Sequence, residues 1–184
     1  MEDLSLHILD IVENSIDAGA TKVEIRIRED LKGDTLTLRI DDNGRGMDDN
    51  ILKKAPDCSF TGKAGKRFGF GIPLLAQAAT ECDGNLSINS GVQRGTSITA
   101  IFKLSHIDRK PLGDMGATMI ALICGHPEMD YLLLYERDTF SYRLDTKELK
   151  ARLEDVPINT PGLLRLIKED INEAIGTFAR QLQT

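Results

Sequence analysis

The chain has 184 residues, of which 41% are apolar and 28% charged, the profile of one soluble globular domain, or of one domain with an extension, large enough to bury a sizeable core. A net charge of -6 and a pI near 5.1 argue against general nucleic-acid or anionic-membrane binding. The acidic start MEDLSLHILD, the absence of an apolar run of ~18 residues, and three dispersed cysteines without a CxxC pair argue against a signal peptide, a membrane span, a disulfide framework and a zinc site; a reducing cytoplasm is expected, with Cys82 and Cys124 as buried small hydrophobes.

HILDIVENSIDAGAT (7–21) reads as a helix ending near Gly19. At helical spacing Leu4, Ile8, Leu9, Ile11, Val12, Ile16 and Ala18 cover about half its circumference, while His7, Asp10, Glu13, Asn14 and Asp17 fill an opposite arc. So wide an apolar face predicts a largely buried helix, yet no Lys or Arg before Lys22 compensates the carboxylates. Either the polar stripe faces water, or it holds a cation or an ordered water.

KVEIRIRED (22–30) and DTLTLRIDD (34–42) alternate apolar and polar residues, as two antiparallel strands with one buried face would. DDNGRGM (41–47) follows as a turn, and DNILKKA (49–55) as a short helix. The glycine-rich segment 56–71 reads as a mobile loop, and IPLLAQAATEC (72–82) as a helix that accepts Pro73 in its first turn. NLSINS and TSITAIFKL are strands on either side of GVQRG. Beyond Leu104, DMGATMIALIC reads as a helix, DYLLLYER and TFSYRLD as a hairpin, and TKELKARL and PGLLRLIKEDINEAIGTFARQL as two more helices. On the last of these, Leu163, Leu164, Ile167, Ile171, Ile175 and Phe178 form a stripe that needs burial.

Two stretches carry chemistry. DDNGRGM fails as a calcium loop, because Arg45 takes a ligand position and the closing acidic position falls on Leu52. What remains is a carboxylate at a strand end followed by glycines that let a flat ligand approach the backbone, with Asp42 able to accept from an exocyclic amine such as that of adenine. TGKAGKRFGFGIPLL (61–75) fails as a Walker loop at Phe60 and Arg67, and as a dinucleotide fingerprint at Leu74. Gly69 and Gly71 nevertheless open a helix whose free N–H groups suit phosphate, and Lys63, Lys66 and Arg67 add cations; a loop without a ligand is the alternative. A magnesium triphosphate between the acidic helix and the basic loop would satisfy both.

VENSIDAGAT, DDNGRGM, GFGIPLL and GVQRGTSITAIF, in that order over residues 4–104, resemble the boxes of the GHKL ATPases, the family of DNA gyrase B, MutL, Hsp-type chaperones and histidine kinases. The first box is closest to MutL, and the lid FTGKAGKRFGFGI to histidine kinases. The resemblance implies ATP and Mg2+ as cofactors, with Asn14 as magnesium ligand and Asp42 on the adenine. Gly44, Gly46 and Met47 would shape the base pocket. Lys63, Lys66, Arg67, Gly69 and Gly71 would hold the phosphates, and Thr96 would support Asp42 from a neighbouring strand.

The implied fold is α+β, a two-layer sandwich (the Bergerat fold) with a mixed, mainly antiparallel sheet and helices on one face. Residues 1–104 would form the ATP-binding domain; 105–184 would be an α/β extension of unknown role, either separate or continuing the same domain. Hydrolysing members of the family usually carry Glu four residues before the magnesium Asn; here that position is Asp10, the candidate catalytic residue. His7, on the ATP-binding helix that the resemblance implies, is expected to be structural or to support a site residue from behind, not to accept phosphate. The expected function is a slow ATPase or kinase-like switch acting on a protein partner, with a homodimer also compatible. The alternatives are a silent nucleotide sensor and a MutL-like DNA-processing ATPase.

Overall fold

The computed structural model describes residues 3–53, 55 and 71–180, with side chains up to 176. Its elements run α1 (Leu4–Asp17), β1 (Lys22–Asp30), β2 (Thr35–Asp42), α2 (Asp49–Leu52), α3 (Gly71–Thr80), β3 (Asn85–Ser90), β4 (Thr96–Lys103), α4 (Met115–Gly125), β5 (Asp130–Arg137), β6 (Phe140–Asp145), α5 (Thr146–Leu153) and α6 (Pro161–Arg180). Six strands form one sheet in the order β3-β4-β2-β1-β5-β6. Among the described residues only β1 and β5 pair in parallel; the other neighbours are antiparallel. The architecture is the mixed α+β sandwich implied by the resemblance.

The strand alternation decides which face is dry. Val23, Ile25 and Ile27 of β1, Leu36, Leu38 and Ile40 of β2, and Tyr131, Leu133 and Tyr135 of β5 are all at most 2% exposed and lie in one core. The intervening residues form a polar outer face, where Arg26 pairs with Glu24 and Arg39 with Asp41. On the core side, α1 packs against β2 and α3, α3 against β3 and β4, and α4 against α1.

Local caps set the helix ends. Asp3 Oδ1 accepts from Leu6 N–H at 3.1 Å to start α1, and Gly19, at φ +76°, takes the left-handed turn after its C-cap Ala18. Asp114 caps α4 by accepting from Ala117 N–H at 2.8 Å. It also accepts from Asn172 Nδ2 of α6 at 2.9 Å, while Asn172 Oδ1 accepts from Gly116 N–H at 3.0 Å. Leu164, Ile167 and Ile171 of α6 are buried in the core, and α6 packs along α4.

One side chain sits where the sequence reading did not put it. Cys82 is buried, but Cys124 is exposed. The buried residues of α4 are Met115, Gly116, Thr118, Met119, Leu122 and Ile123, a helical stripe that leaves position 124 on the outer side. His7, at the edge of the polar arc, is buried at 1% exposure. The segment read as a mobile loop lies, from 56 to 70, outside the described residues.

Candidate functional site

The site is built where β2 ends beside α1. Asp42 is the last residue of β2 and pairs with Val23 on one side and Thr96 on the other. Its carboxylate is immobilised from three directions. Oδ1 accepts from Gly44 N–H at 2.9 Å and from Thr96 N–H at 3.2 Å. Oδ2 accepts from the Ser15 hydroxyl at 2.8 Å. A charged acceptor held by donors from a strand, a turn and a helix is pre-oriented before any ligand arrives.

Three turns interlock around it. Arg45 N–H donates to Ala18 O at 3.0 Å, and Gln93 N–H donates to Arg45 O at 2.8 Å. Ser90 Oγ accepts from Met47 N–H at 2.9 Å and donates to Gly95 O at 2.9 Å. With its single proton so used, it receives the Thr96 hydroxyl at 2.9 Å. Asn43 accepts at Oδ1 from Thr21 and Lys22 N–H at 2.8 and 2.9 Å, fixing the turn after α1.

The glycines are there for approach. Gly46 has φ +66°, and a Cβ on it would lie 2.0 Å from Gly91 O; Gly95 has φ +74°, and a Cβ there would meet Asp42 O at 1.9 Å. A cleft of about 330 Å³ beside these turns is lined by Asp41, Asp42, Ser90, Arg94, Gly95 and Thr96, among others.

Asp10 and Asn14, both half-buried, lie further along α1. Gly71, the first residue of α3, sits directly on them. A Cβ there would stand 3.0 Å from Asp10 Cβ and 3.7 Å from Asn14 Nδ2. The start of a ten-residue helix, with its free N–H groups, is thereby set against the acidic stripe. Glu13 turns the other way, 3.8 Å from the His126 imidazole at the end of α4. The structure thus brings Asp10, Asn14 and Gly71 together, and Asp42, Gly44, Gly46, Met47 and Thr96 together at the end of β2. Lys63, Lys66, Arg67 and Gly69 lie outside the described residues.

Sequence reasoning missed Ser15 and Ser90. Ser15 falls on the apolar arc of α1, and a serine among Ile11, Val12 and Ile16 was the one available signal of a buried acceptor opposite. Ser90 ends a strand of ordinary polar alternation and carries no signal.

The family model for "Histidine kinase-, DNA gyrase B-, and HSP90-like ATPase" matches residues 2–106. The chain belongs to that family. Sporulation kinase B of Bacillus subtilis (strain 168) is 30% identical to this member over 93 residues, 50% of this chain and 22% of the kinase. The curated relatives it matches are much longer proteins, of which the match takes in 16–22%. Among solved structures, the Aquifex aeolicus MutL ATPase domain complexed with ADP superposes with a TM-score of 0.50 at 19% identity, over 84% of this chain and 68% of that one. The N-terminal domain of a DNA repair protein gives 0.55 at 16% identity, over 79% and 52%. Both likenesses are of fold. The family model ends at residue 106, while the sheet of this chain continues through β5 and β6.

Proposed function

We propose that this GHKL domain binds Mg·ATP and works in the cytoplasm as a slow ATPase or kinase-like switch on a protein partner. The observation that carries the reading is the pre-oriented Asp42 carboxylate. Its Oδ2 keeps acceptor capacity after the Ser15 bond, which suits the exocyclic amine of adenine and repels the carbonyl that guanine carries in the same place. The residues fit the cofactor. Gly44, packed between Ala18 and Asp42, leaves room for a flat base, and Asn14 beside the start of α3 offers an amide oxygen to a metal near helix N–H donors. Lys63, Lys66, Arg67 and Gly69 are the sequence's candidates for holding the phosphates. Bound magnesium would supply charge neutralisation at the phosphates. Asp10 is the carboxylate assigned to orient the attacking water or acceptor hydroxyl through its Oδ atoms.

The kinase relatives support action on a protein, and the ADP complex of the MutL domain supports adenine nucleotide as the ligand. The short reach of Asp10 favours a second reading as well: a nucleotide sensor whose bound state alone is the signal.

Equilibrium binding of fluorescent ATP and GTP analogues, with magnesium, tests the proposal. ATP is expected to bind and GTP not. In Asp42→Asn an amide N–H₂ replaces an acceptor oxygen facing donors, an unmade buried contact worth ~1–3 kcal/mol, so affinity falls roughly tenfold to a hundredfold with the fold intact. Parental affinity in a folded Asp42→Asn variant would sink the assignment of Asp42, and equal binding of GTP would sink the adenine reading.

A further inference from the structure

Asn43 and Gly44 form the only Asn-Gly pair in the sequence. In such a pair the backbone nitrogen attacks the preceding side-chain amide most readily, because glycine puts no Cβ in the way. Packing leaves this chain no slower neighbour. A Cβ at position 44 would lie 3.1 Å from both Cβ and O of Ala18, so the turn beside Asp42 keeps a reactive pair.

The reaction balances with water as its only co-reactant. The Gly44 nitrogen gives up its proton and bonds to Asn43 Cγ. The Cγ–Nδ2 bond breaks, and the side-chain nitrogen takes up the proton and leaves as ammonia. Water then opens the cyclic imide at either carbonyl and leaves an aspartate at position 43, α-linked or β-linked. The β-linked product lengthens the main chain by one methylene next to Asp42.

Two features of the fold act on this step in opposite directions. Asn43 Oδ1 accepts from Thr21 N–H at 2.8 Å and from Lys22 N–H at 2.9 Å. Two donors on that oxygen favour the negative charge it takes on during addition, as an oxyanion hole does. Against this, the Gly44 N–H donates to Asp42 Oδ1 at 2.9 Å. The attacking species is the deprotonated nitrogen, and a carboxylate in contact with it disfavours a second negative charge. That carboxylate cannot swing aside, since Thr96 N–H and the Ser15 hydroxyl hold it as well.

We infer that Asn43 is a site of self-modification by deamidation, held off in the folded protein by the Asp42 carboxylate. The residue that ends β2 thereby guards the chemistry of the turn that follows it. The inference stands apart from the Mg·ATP reading, because its test contains no nucleotide.

The full chain is incubated at mildly alkaline pH, digested, and read by mass spectrometry for amide-to-acid conversion at residue 43, with an isoaspartate assay for the β-linked product. The parent is followed folded and in urea, and Asp42→Asn and Asp42→Ala are followed folded, with circular dichroism checking each fold. The folded parent converts roughly tenfold or more slowly than the parent in urea, because the reaction waits for local opening. Asp42→Asn, whose neutral side chain is the weaker acceptor, converts faster than the parent. Asp42→Ala converts faster still, since the donors on Asn43 Oδ1 then act unopposed.

A folded parent that converts at the rate seen in urea overturns the inference, as does a parent in urea that leaves residue 43 unchanged. A parental rate in folded Asp42→Asn or folded Asp42→Ala overturns it too. If the alanine variant does not fold, the asparagine variant and the parent's two rates decide.

Discussion

At the scale of single residues, the site separates into groups that are fully bonded and groups that are held ready. Asp42 receives three donors, while Asp10 and Asn14 meet mainly the close approach of Gly71. Asp10 is one methylene shorter than the Glu usual at its place, and misplacement on the order of 1 Å costs about a hundredfold in rate. Tight ATP binding with slow turnover is therefore expected. Asp10→Ala should remove that turnover with little change in affinity, measured by phosphate release and equilibrium binding; parental phosphate release would transfer the role to another residue. Glu13, engaged with His126, is turned away from it.

His7 makes a separate prediction about acid. Its pKa is pushed down to about 4 from an ordinary 6.5, first by burial and then by Lys110. The unfolded chain thus takes up this proton at a higher pH than the folded one. The contribution to stability is whole above pH ~6.5, is lost as pH falls toward 4, and then levels off; a shift of this size corresponds to about 3 kcal/mol. His7→Phe should lose that part of the acid sensitivity. Urea unfolding of parent and variant at pH 7 and pH 4.5 reads the difference, and identical pH dependence in the two would refute a proton-excluding His7.

At the scale of elements, helix contacts depend on absent side chains. α6 crosses α4 at Gly116, where a Cβ would lie 2.6 Å from Asn172 Oδ1 and 2.8 Å from Lys168 O. The second of these is backbone on a helix, so it cannot swing aside. Gly116→Ala should cost ~1–3 kcal/mol by forcing the helices apart, lowering the melting temperature by several degrees. Gly162, with nothing within 4 Å of its would-be Cβ, is the control; alanine there should be neutral or stabilising. Equal melting temperatures for the two variants would show that the α4–α6 contact yields more easily than its backbone geometry implies.

At the scale of the molecule, the family match and the sheet end in different places. The model of the family stops at 106, but β5 lies between β1 and β6, inside the sheet. Its Tyr131, Leu133 and Tyr135 are at most 1% exposed, and α4 adds Met115, Met119, Leu122 and Ile123 to the same core. A fragment of residues 1–104 should accordingly lack cooperative unfolding and dispersed amide signals. Removing α6 alone exposes the contacts of Leu164, Ile167 and Ile171, each worth ~1.5–3 kcal/mol when fully buried, against a total stability of ~5–15 kcal/mol for a typical domain. A chain ending at 159 should therefore be severely destabilised. A well-folded 1–104 fragment would make the extension an independent unit.

Local patterns carried much of this protein in plain view. Period-two alternation announced β1 and β2, because a strand's dry face is written residue by residue. The helical arc of α1, and the carboxylate followed by glycines after β2, were legible for the same reason: backbone period and backbone conformation are local properties. The ordered boxes were enough to name the family. What the sequence left open depends on which distant segments meet. That Ser15 bonds Asp42, that His7 is covered while Cys124 is not, and that β5 pairs in parallel with β1 more than a hundred residues upstream have no local signature. Each is decided by how surfaces pack, since burial and hydrogen-bond partnership belong to pairs of elements and not to the elements alone.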